Sequence, residues 1–294
     1  MKVAIIGSGN IGCDILAKTL LSHYLKCKIF VGRNPSSRGL EYAKKFKVNV
    51  SADGIAAILK DPSQYDLLFD ATSAQSHREH IGLLQGYSLK LINLTPEAGG
   101  YCCIPCINIE KTLYANNISL VTCGAQASIP LAYAIYQVHK NIEYIEVVNT
   151  ISSKSAGAAT RYNIDEYLNA TESALIKFTK CHSTKSILNI NPGIPETVMR
   201  TTIYAKIKNP CLEKITNSIN NMVTKIKKYV PGYELIGNPI IKENCLVVIL
   251  SVKGLGHYLP EYAGNLDIIT SAAVNIAEFI AKRSQKYKVK NDIL

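Results

Sequence analysis

In the first part of the chain, short apolar runs alternate with stretches of helical spacing. Short apolar runs typical of buried strands occupy residues 2–6, 27–31, 66–74, 89–96 and 117–122. Helix-like stretches separate some of these runs, at residues 39–46, 54–60 and 77–85. Strands that alternate with helices in this way form parallel sheets covered by helices. The pattern therefore predicts a domain of the α/β class.

The second part of the chain has a different pattern of predicted strands and helices. Strand-like segments rich in β-branched residues occupy residues 142–151, 201–207 and 245–252, and helix-like stretches occupy residues 164–180 and 211–228. This order predicts a mixed α+β domain whose sheet has helices on one face and a partner subunit on the other. The intervening loops, at residues 152–160 and 254–264, are expected to present site residues.

The strand at residues 2–6 leads into a glycine-rich GxGxxG segment, after which apolar residues recur at helical spacing. In a dinucleotide-binding loop the first glycine permits a tight turn, the second lets a pyrophosphate approach the backbone, and the third lets helix and strand pack closely. A purely structural turn is the alternative. The flanking strand and helix favour a Rossmann-type domain, with cofactor-binding candidates Gly7, Ser8, Gly9, Asn10, Ile11 and Gly12.

Two later strand ends bear on the identity of the cofactor. The second strand ends without the carboxylate that binds the ribose 2′-hydroxyl of NAD, and Arg33 follows it instead. A cationic side chain there accommodates a 2′-phosphate, so NADP is a candidate cofactor as well as NAD. The alternative is that this segment is only a solvated basic loop. The strand at residues 66–74 ends in Thr72 and Ser73, which we expect to face the cofactor.

Cys123 follows the strand predicted at residues 117–122. Ser128 is a suitable N-cap and Pro130 suits a first helical turn, so the pattern predicts a helix that begins close to this cysteine. The positive end of a helix dipole lowers a thiol pKa, which would make Cys123 a reactive thiolate. A buried core cysteine is the alternative interpretation.

Composition indicates an ordinary globular protein, with 294 residues, 47% hydrophobic content and a net charge of +11. No signal-peptide pattern and no apolar run of membrane-spanning length appears, so we expect a cytoplasmic protein that does not enter a membrane. The lysines are spread along the chain without a nucleic-acid-binding motif. The positive charge is therefore attributed to anionic small molecules rather than to a nucleic acid.

The nine cysteines are odd in number and irregularly spaced, which favours free thiols over a disulfide framework. The cluster Cys102, Cys103 and Cys106 lacks a second pair at zinc-site spacing, so no metal is expected there. The basic segment at residues 282–290 is expected to be a frayed, solvated tail.

Six blocks in order along the chain resemble the acylating acetaldehyde dehydrogenases, CoA-dependent enzymes that pair with 4-hydroxy-2-oxovalerate aldolase in the catabolism of aromatic compounds. The blocks lie at residues 7–12, 69–74, 121–127, 151–157, 229–233 and 257–268. The resemblance implies an oxidoreductase that converts acetaldehyde or another short aldehyde, CoA and NAD(P) to acyl-CoA and NAD(P)H. It also implies a homodimer and, as a further partner, the aldolase.

The resemblance assigns roles to particular residues. Cys123 corresponds to the nucleophile that carries a thiohemiacetal and then a thioester. Asn163 matches a polar residue of the active-site region, and Asn265 matches a residue near the nicotinamide; a turn or cap asparagine is the alternative for both. Further cofactor-binding candidates in the matching block are Ser155, Ala156 and Gly157. The implied domains are residues 1–123 with 264–294 for the dinucleotide, and residues 124–263 for catalysis and dimerisation.

One departure from the family pattern affects the catalytic set. Thr201 stands where the family has an aspartate proposed as a base, and Glu196 is a substitute that could reach the site. Loss of a general base typically costs 10²- to 10⁴-fold in rate. The Thr201 departure leaves open a catalytically weakened cofactor-binding subunit of an aldolase complex. A phosphate-dependent semialdehyde dehydrogenase-type reductase is a second alternative, because it uses the same plan of cofactor domain and cysteine, although the six blocks disfavour it.

Overall fold

A computed structural model describes residues 1–97 and 99–291. The chain divides into two compact units, the first formed by Met1–Leu120 with the chain from Thr270 onwards, and the second by Val121–Ile269. Each unit is built on a sheet of its own.

The first unit contains a parallel sheet of seven strands within the described residues. The strands are β1 (Lys2–Ile6), β2 (Lys26–Val31), β3 (Val50–Ser51), β4 (Leu67–Asp70), β5 (Lys90–Asn93), β6 (Tyr101–Cys102) and β7 (Asn117–Ser119). Their spatial order is β3-β2-β1-β4-β5-β7-β6, and every neighbouring pair is parallel. The order reverses between β1 and β4, where Rossmann-type sheets bind their ligands. The predicted α/β class is confirmed.

Helices connect these strands. They are α1 (Asn10–Leu21), α2 (Arg38–Lys45), α3 (Ala56–Leu59), α4 (Ala74–Leu83) and α5 (Pro105–Asn108), together with 3-10 turns at Pro62–Gln64 and Ile109–Tyr114. Every residue of β4 is buried, as expected for a central parallel strand that is covered on both faces.

The second unit contains a mixed six-stranded sheet. Its strands are β8 (Ile142–Ser152), β9 (Thr184–Asn191), β10 (Met199–Ile207), β11 (Tyr233–Leu235), β12 (Ile240–Lys242) and β13 (Cys245–Val252). The order is β11-β13-β10-β8-β9, with β12 also paired to β13. Only the β8–β9 pair is parallel among the pairings described. The predicted mixed domain is therefore present, although β9 and the short strands β11 and β12 were not predicted.

The helices of the second unit contact one another and this sheet. They are α6 (Cys123–Val138), α7 (Ala158–Tyr162), α8 (Ile164–Thr179) and α9 (Leu212–Lys227), with a 3-10 turn at Ser153–Ser155. The helix α6 contacts α8, α9, β8 and β10. Buried residues alternate along β10, and they include Thr201 and Ile203. This alternation is the pattern of a strand with one covered face.

The last helix, α10 (Gly264–Asn291), corrects one expectation. The segment predicted as a frayed tail from residue 282 continues this helix instead. Its polar side chains find partners at the start of that segment: Arg283 pairs with Glu110 at 3.3 Å, and the Lys282 ammonium lies 4.4 Å from the centre of the Tyr24 ring. Within the described ranges, every helix is too short or too polar to cross a membrane.

Candidate active site

The glycine loop between β1 and α1 is closely packed at two glycines and open at the third. A Cβ placed on Gly7, whose φ is +113°, would lie 2.4 Å from the Ala71 carbonyl oxygen, and one on Gly12 would lie 1.8 Å from the Gly7 oxygen. A Cβ on Gly9 would meet nothing within 4 Å. The loop thus leaves a free approach to its backbone at Gly9, beside the N-terminus of α1, which suits a pyrophosphate.

The loop that follows β4 contacts this glycine loop through Ala71. Thr72 donates from its hydroxyl to Asp70 Oδ1 at 2.5 Å, and its backbone N–H donates to the same oxygen at 3.1 Å. Ser73 caps α4 by accepting from the Ser76 N–H at 3.2 Å. Both predicted cofactor residues on this loop are therefore fixed in orientation at the point where the strand order reverses.

A buried carboxylate with two imidazoles orders this loop, and sequence reasoning did not identify it. His77 Nδ1 lies 2.8 Å and His80 Nδ1 lies 2.7 Å from Asp70 Oδ2, and all three side chains are buried. Burial alone would raise the pKa of Asp70, but hydrogen bonds from His77, His80 and Thr72 outweigh it and hold that pKa well below its usual range. The available signal was an aspartate at a strand end followed by two histidines on one face of a helix.

Arg33 lies on the exposed loop after β2. This loop is joined to the glycine loop, since the Ser37 and Ser8 hydroxyl oxygens lie 2.9 Å apart. Ser37 also caps α2 by accepting from the Leu40 N–H at 3.2 Å. An exposed guanidinium on a loop anchored in this way is free to meet an anionic ligand.

Cys123 is the first residue of α6, as the sequence indicated, but the predicted capping was wrong. Thr122 is the N-cap, because its Oγ1 accepts from the Ala125 N–H at 2.9 Å. Ser128 and Pro130 lie inside the helix, where the Ser128 hydroxyl donates to the Gly124 carbonyl at 2.7 Å. Val121 has a φ of +65°, a strained value for a β-branched residue. Such strain is concentrated at functional sites.

Cys123 is half-buried as a residue, and a phenol lies beside its sulphur. Tyr167 Oη, from α8, lies 3.8 Å from Cys123 Sγ. The expected low pKa of this thiol is wrong: burial raises the pKa of Cys123, and it outweighs the hydrogen bonds from Tyr167 and from backbone N–H groups that lower it. Helix position alone therefore does not decide the protonation state of the thiol. Tyr167 was not identified from the sequence.

Thr201 and Asn149 form a buried polar pair in the same unit. The Thr201 hydroxyl donates to Asn149 Oδ1 at 2.7 Å, and both side chains are fully buried. Glu196, the candidate to replace the missing general base, forms an ion pair with Lys154. That salt bridge and the hydrogen bonds of Glu196 hold the pKa of its carboxyl below the usual range.

Two of the predicted cofactor residues in the second unit are adjacent in the structure. Asn265 Nδ2 donates to the Ser155 carbonyl at 3.3 Å, while Asn265 Oδ1 is buried without a partner among the described residues. The Arg161 guanidinium donates to the Ala156 carbonyl at 3.1 Å and to the Ser153 hydroxyl at 2.8 Å, and these bonds hold the loop that contains both residues. A Cβ on Gly157 would meet nothing within 4 Å. An unused acceptor beside an open loop suits an amide-bearing ligand.

Asn163 stands at the junction between α7 and α8, half-buried, and its side chain does not cap α8. The remaining cysteines are free thiols, and the described residues contain no group of three ligating side chains placed to hold a metal. Burial raises the pKa of Cys103 well above the usual range, which is unfavourable for a thiolate ligand.

Comparison with known proteins identifies the family. Residues 123–260 match the family model described as prokaryotic acetaldehyde dehydrogenase, dimerisation. An acetaldehyde dehydrogenase of Pectobacterium atrosepticum is 50% identical over 283 residues, which cover 96% of this chain and 96% of that protein. Acetaldehyde dehydrogenases of Burkholderia thailandensis and Spirochaeta aurantia are 46% and 44% identical, and the matches cover 94% and 97% of this chain and 93% and 96% of those proteins. The chain therefore belongs to the acetaldehyde dehydrogenase family of enzymes.

Proposed function

We propose that this protein oxidises acetaldehyde, or another short aldehyde, to the acyl-CoA thioester, with Cys123 as the nucleophile and NAD or NADP as the electron acceptor. The observation that carries the proposal is Cys123 itself, a half-buried cysteine at the N-terminus of α6 in a chain related over nearly its whole length to acetaldehyde dehydrogenases.

Cys123 supplies the covalent chemistry. Its thiolate attacks the aldehyde carbon, so that a carbon–sulphur bond forms and the carbonyl π electrons pass to oxygen, giving the alkoxide of a thiohemiacetal. A bound dinucleotide would supply the acceptor for the hydride on that carbon, and loss of the hydride would leave a thioester on Cys123. The CoA thiol, after losing its proton, then attacks the thioester carbon, and the bond to Cys123 breaks to release acyl-CoA and restore the thiolate.

The residues that would hold the dinucleotide are those whose surroundings suit it. Gly9 leaves the backbone of the phosphate loop open, and Gly7, Ser8, Asn10, Ile11 and Gly12 form the rest of that loop. Thr72 and Ser73 follow Ala71, which lies beside Gly7, and Arg33 is available for a 2′-phosphate. In the second unit, the buried free Oδ1 of Asn265 would accept from an amide, next to Ser155, Ala156 and Gly157.

Asn163 and Thr201 complete the proposed site. Asn163 is a half-buried amide at the start of α8, the helix that supplies Tyr167. Because the Thr201 hydroxyl is committed to Asn149, we assign Thr201 a positioning role rather than that of a base. We further propose a homodimer, supported by the dimerisation model that matches residues 123–260, with the aldolase as a further partner.

The test is a steady-state assay of acetaldehyde and propanal, with NAD and with NADP, in which CoA is supplied, omitted or replaced by phosphate. The proposal expects sustained formation of reduced dinucleotide and of acyl-CoA only with CoA, because without CoA the reaction stops after one equivalent per Cys123. It expects Cys123→Ala to abolish both while dinucleotide binding persists. Turnover with phosphate would instead favour an acyl-phosphate reductase. No turnover with any acceptor would favour a non-catalytic subunit.

A further inference from the structure

Tyr167 is almost fully buried in α8, with 5% of its surface exposed, and its hydroxyl lies 3.8 Å from the sulphur of the half-buried residue Cys123. We infer that Tyr167 is a catalytic residue whose phenol donates a hydrogen bond to the Cys123 thiolate, in a slot that exists because residue 124 is glycine. This inference rests on the proposed function, since it names the group that stabilises the nucleophile of that reaction.

The slot is defined by Gly124. A Cβ at this position would lie 2.1 Å from Tyr167 Oη and 2.5 Å from Asn149 Nδ2, distances that no real Cβ contact adopts. The phenol oxygen therefore occupies space that any other residue at position 124 would fill. Asn149 Nδ2 borders the same space and is buried without a partner among the described residues. The phenol and the amide thus converge on the residue next to the nucleophile.

A second set of hydrogen bonds holds α8 against the start of α6. The Thr171 hydroxyl donates to the Tyr167 carbonyl at 2.8 Å, and it lies 2.8 Å from the hydroxyl of Thr122, the N-cap of α6. The turn of α8 that carries Tyr167 is therefore fixed to the residue that precedes Cys123. Preorganised donors of this kind need no rearrangement when charge develops.

The protonation state makes the phenol a donor. Burial, followed by the neighbouring Cys123, raises the pKa of Tyr167 well above its usual range, so the phenol keeps its proton. Cys123 and Tyr167 are the titratable groups of this pair. The other side chains described around them are neutral: Asn149, Thr201, Thr122 and Thr171. In the thiol form Cys123 Sγ donates to Tyr167 Oη. Once the thiol has lost its proton, the phenol donates to sulphur instead, and this bond to a charged acceptor is the stronger of the two, so it favours the thiolate. No proton is transferred between oxygen and sulphur.

The experiment follows alkylation of Cys123 by iodoacetamide as a function of pH, quantified by mass spectrometry of the peptide that carries Cys123. Wild type is compared with Tyr167→Phe, which removes only the hydroxyl, and with Tyr162→Phe, which makes the same change at a side chain that is 87% exposed. Tyr167→Phe loses a hydrogen bond to a charged group. Its alkylation near neutral pH should therefore be slower by roughly tenfold or more, and the pH at which the alkylation rate is half-maximal should rise. Tyr162→Phe should match wild type.

Gly124→Ala provides a second variant, because the added methyl should displace the phenol and slow alkylation in the same direction; it carries the test if Tyr167→Phe does not fold by circular dichroism. A folded Tyr167→Phe with the wild-type pH profile would overturn the inference. Failure of the proposed function has a different signature: wild-type protein fully alkylated at Cys123 would still oxidise acetaldehyde, whatever the effect of Tyr167→Phe on the alkylation rate.

Discussion

Thr201 Oγ1 donates a hydrogen bond of 2.7 Å to Asn149 Oδ1. The two residues are direct partners in the register of β10 and β8, and both are fully buried. The bond orients the amide so that its Nδ2 borders the space beside Gly124. The Thr201 hydroxyl is thus a hydrogen-bond donor within a neutral pair, and this pair lies beside Gly124, which follows the proposed nucleophile Cys123.

Thr201→Val should lower the free energy of unfolding by about 1–3 kcal/mol, because the variant keeps the shape of the side chain but leaves the buried Asn149 oxygen without its donor. Thr202→Val is the matched control, since Thr202 is the neighbouring residue on the less buried face of β10. Urea denaturation of the two variants measures the difference. Equal effects of the two changes would show that the Thr201–Asn149 bond contributes nothing.

Gly9→Ala should separate cofactor binding from folding. The added methyl meets no protein atom within 4 Å, so the melting temperature should stay at the wild-type value, whereas dinucleotide affinity should fall at least about tenfold because the methyl obstructs the pyrophosphate. Gly82→Ala, a second glycine with open space around it, is the control for the substitution itself. Binding titrations that give the same affinity for both variants would argue against a phosphate site at Gly9.

Arg33→Asp should shift cofactor preference towards NAD, because it replaces a cation on an exposed loop by the carboxylate that binds a ribose 2′-hydroxyl. Lys44→Asp makes the same change of charge at the far end of α2 and should leave the preference unaltered. The measurement is the ratio of kcat/KM for NADP and NAD. An unchanged ratio in Arg33→Asp would mean that the residue does not meet the cofactor.

The contribution of Asp70 to the free energy of unfolding should decrease in acid. Its pKa is depressed in the folded state, so its contribution is complete above the unfolded carboxyl pKa of about 4 and is lost as the pH falls through the lower folded value. Asp70→Asn should therefore cost roughly 2 kcal/mol at pH 7, with the difference narrowing in acid. Asp53→Asn, at an exposed carboxylate, is the control in urea denaturation series. A difference that persists undiminished at low pH would contradict the charge-based explanation.

Local pattern was enough to predict the elements whose signals are contiguous in sequence. The glycine-rich segment at residues 7–12 joins β1 to the first turn of α1 as predicted, and β13 has the predicted bounds, because each is defined by neighbouring residues. The strand β9 escaped prediction, since its polar and apolar residues do not separate into a clear alternation.

The chemistry around Cys123 depended on contacts that the sequence does not reveal. Tyr167 is 44 residues from Cys123, and only the packing of α8 on α6 brings them together. The thiol pKa was predicted in the wrong direction because the helix terminus is a local feature, whereas burial is a property of the folded unit. The cap was misplaced for a related reason, since Thr122, Ser128 and Pro130 are all acceptable near a helix start and sequence alone does not choose among them.

Covalent trapping of the acyl group shows whether Cys123 carries the substrate as a thioester. The protein is incubated with acetaldehyde and NAD in the absence of CoA, and the peptide that contains Cys123 is analysed by mass spectrometry, with Cys211→Ala as a control at an exposed thiol. We expect one acetyl group on Cys123, its release as acetyl-CoA when CoA is added, and no adduct in Cys123→Ala. Formation of acetyl-CoA by Cys123→Ala at the wild-type rate would contradict this role of Cys123.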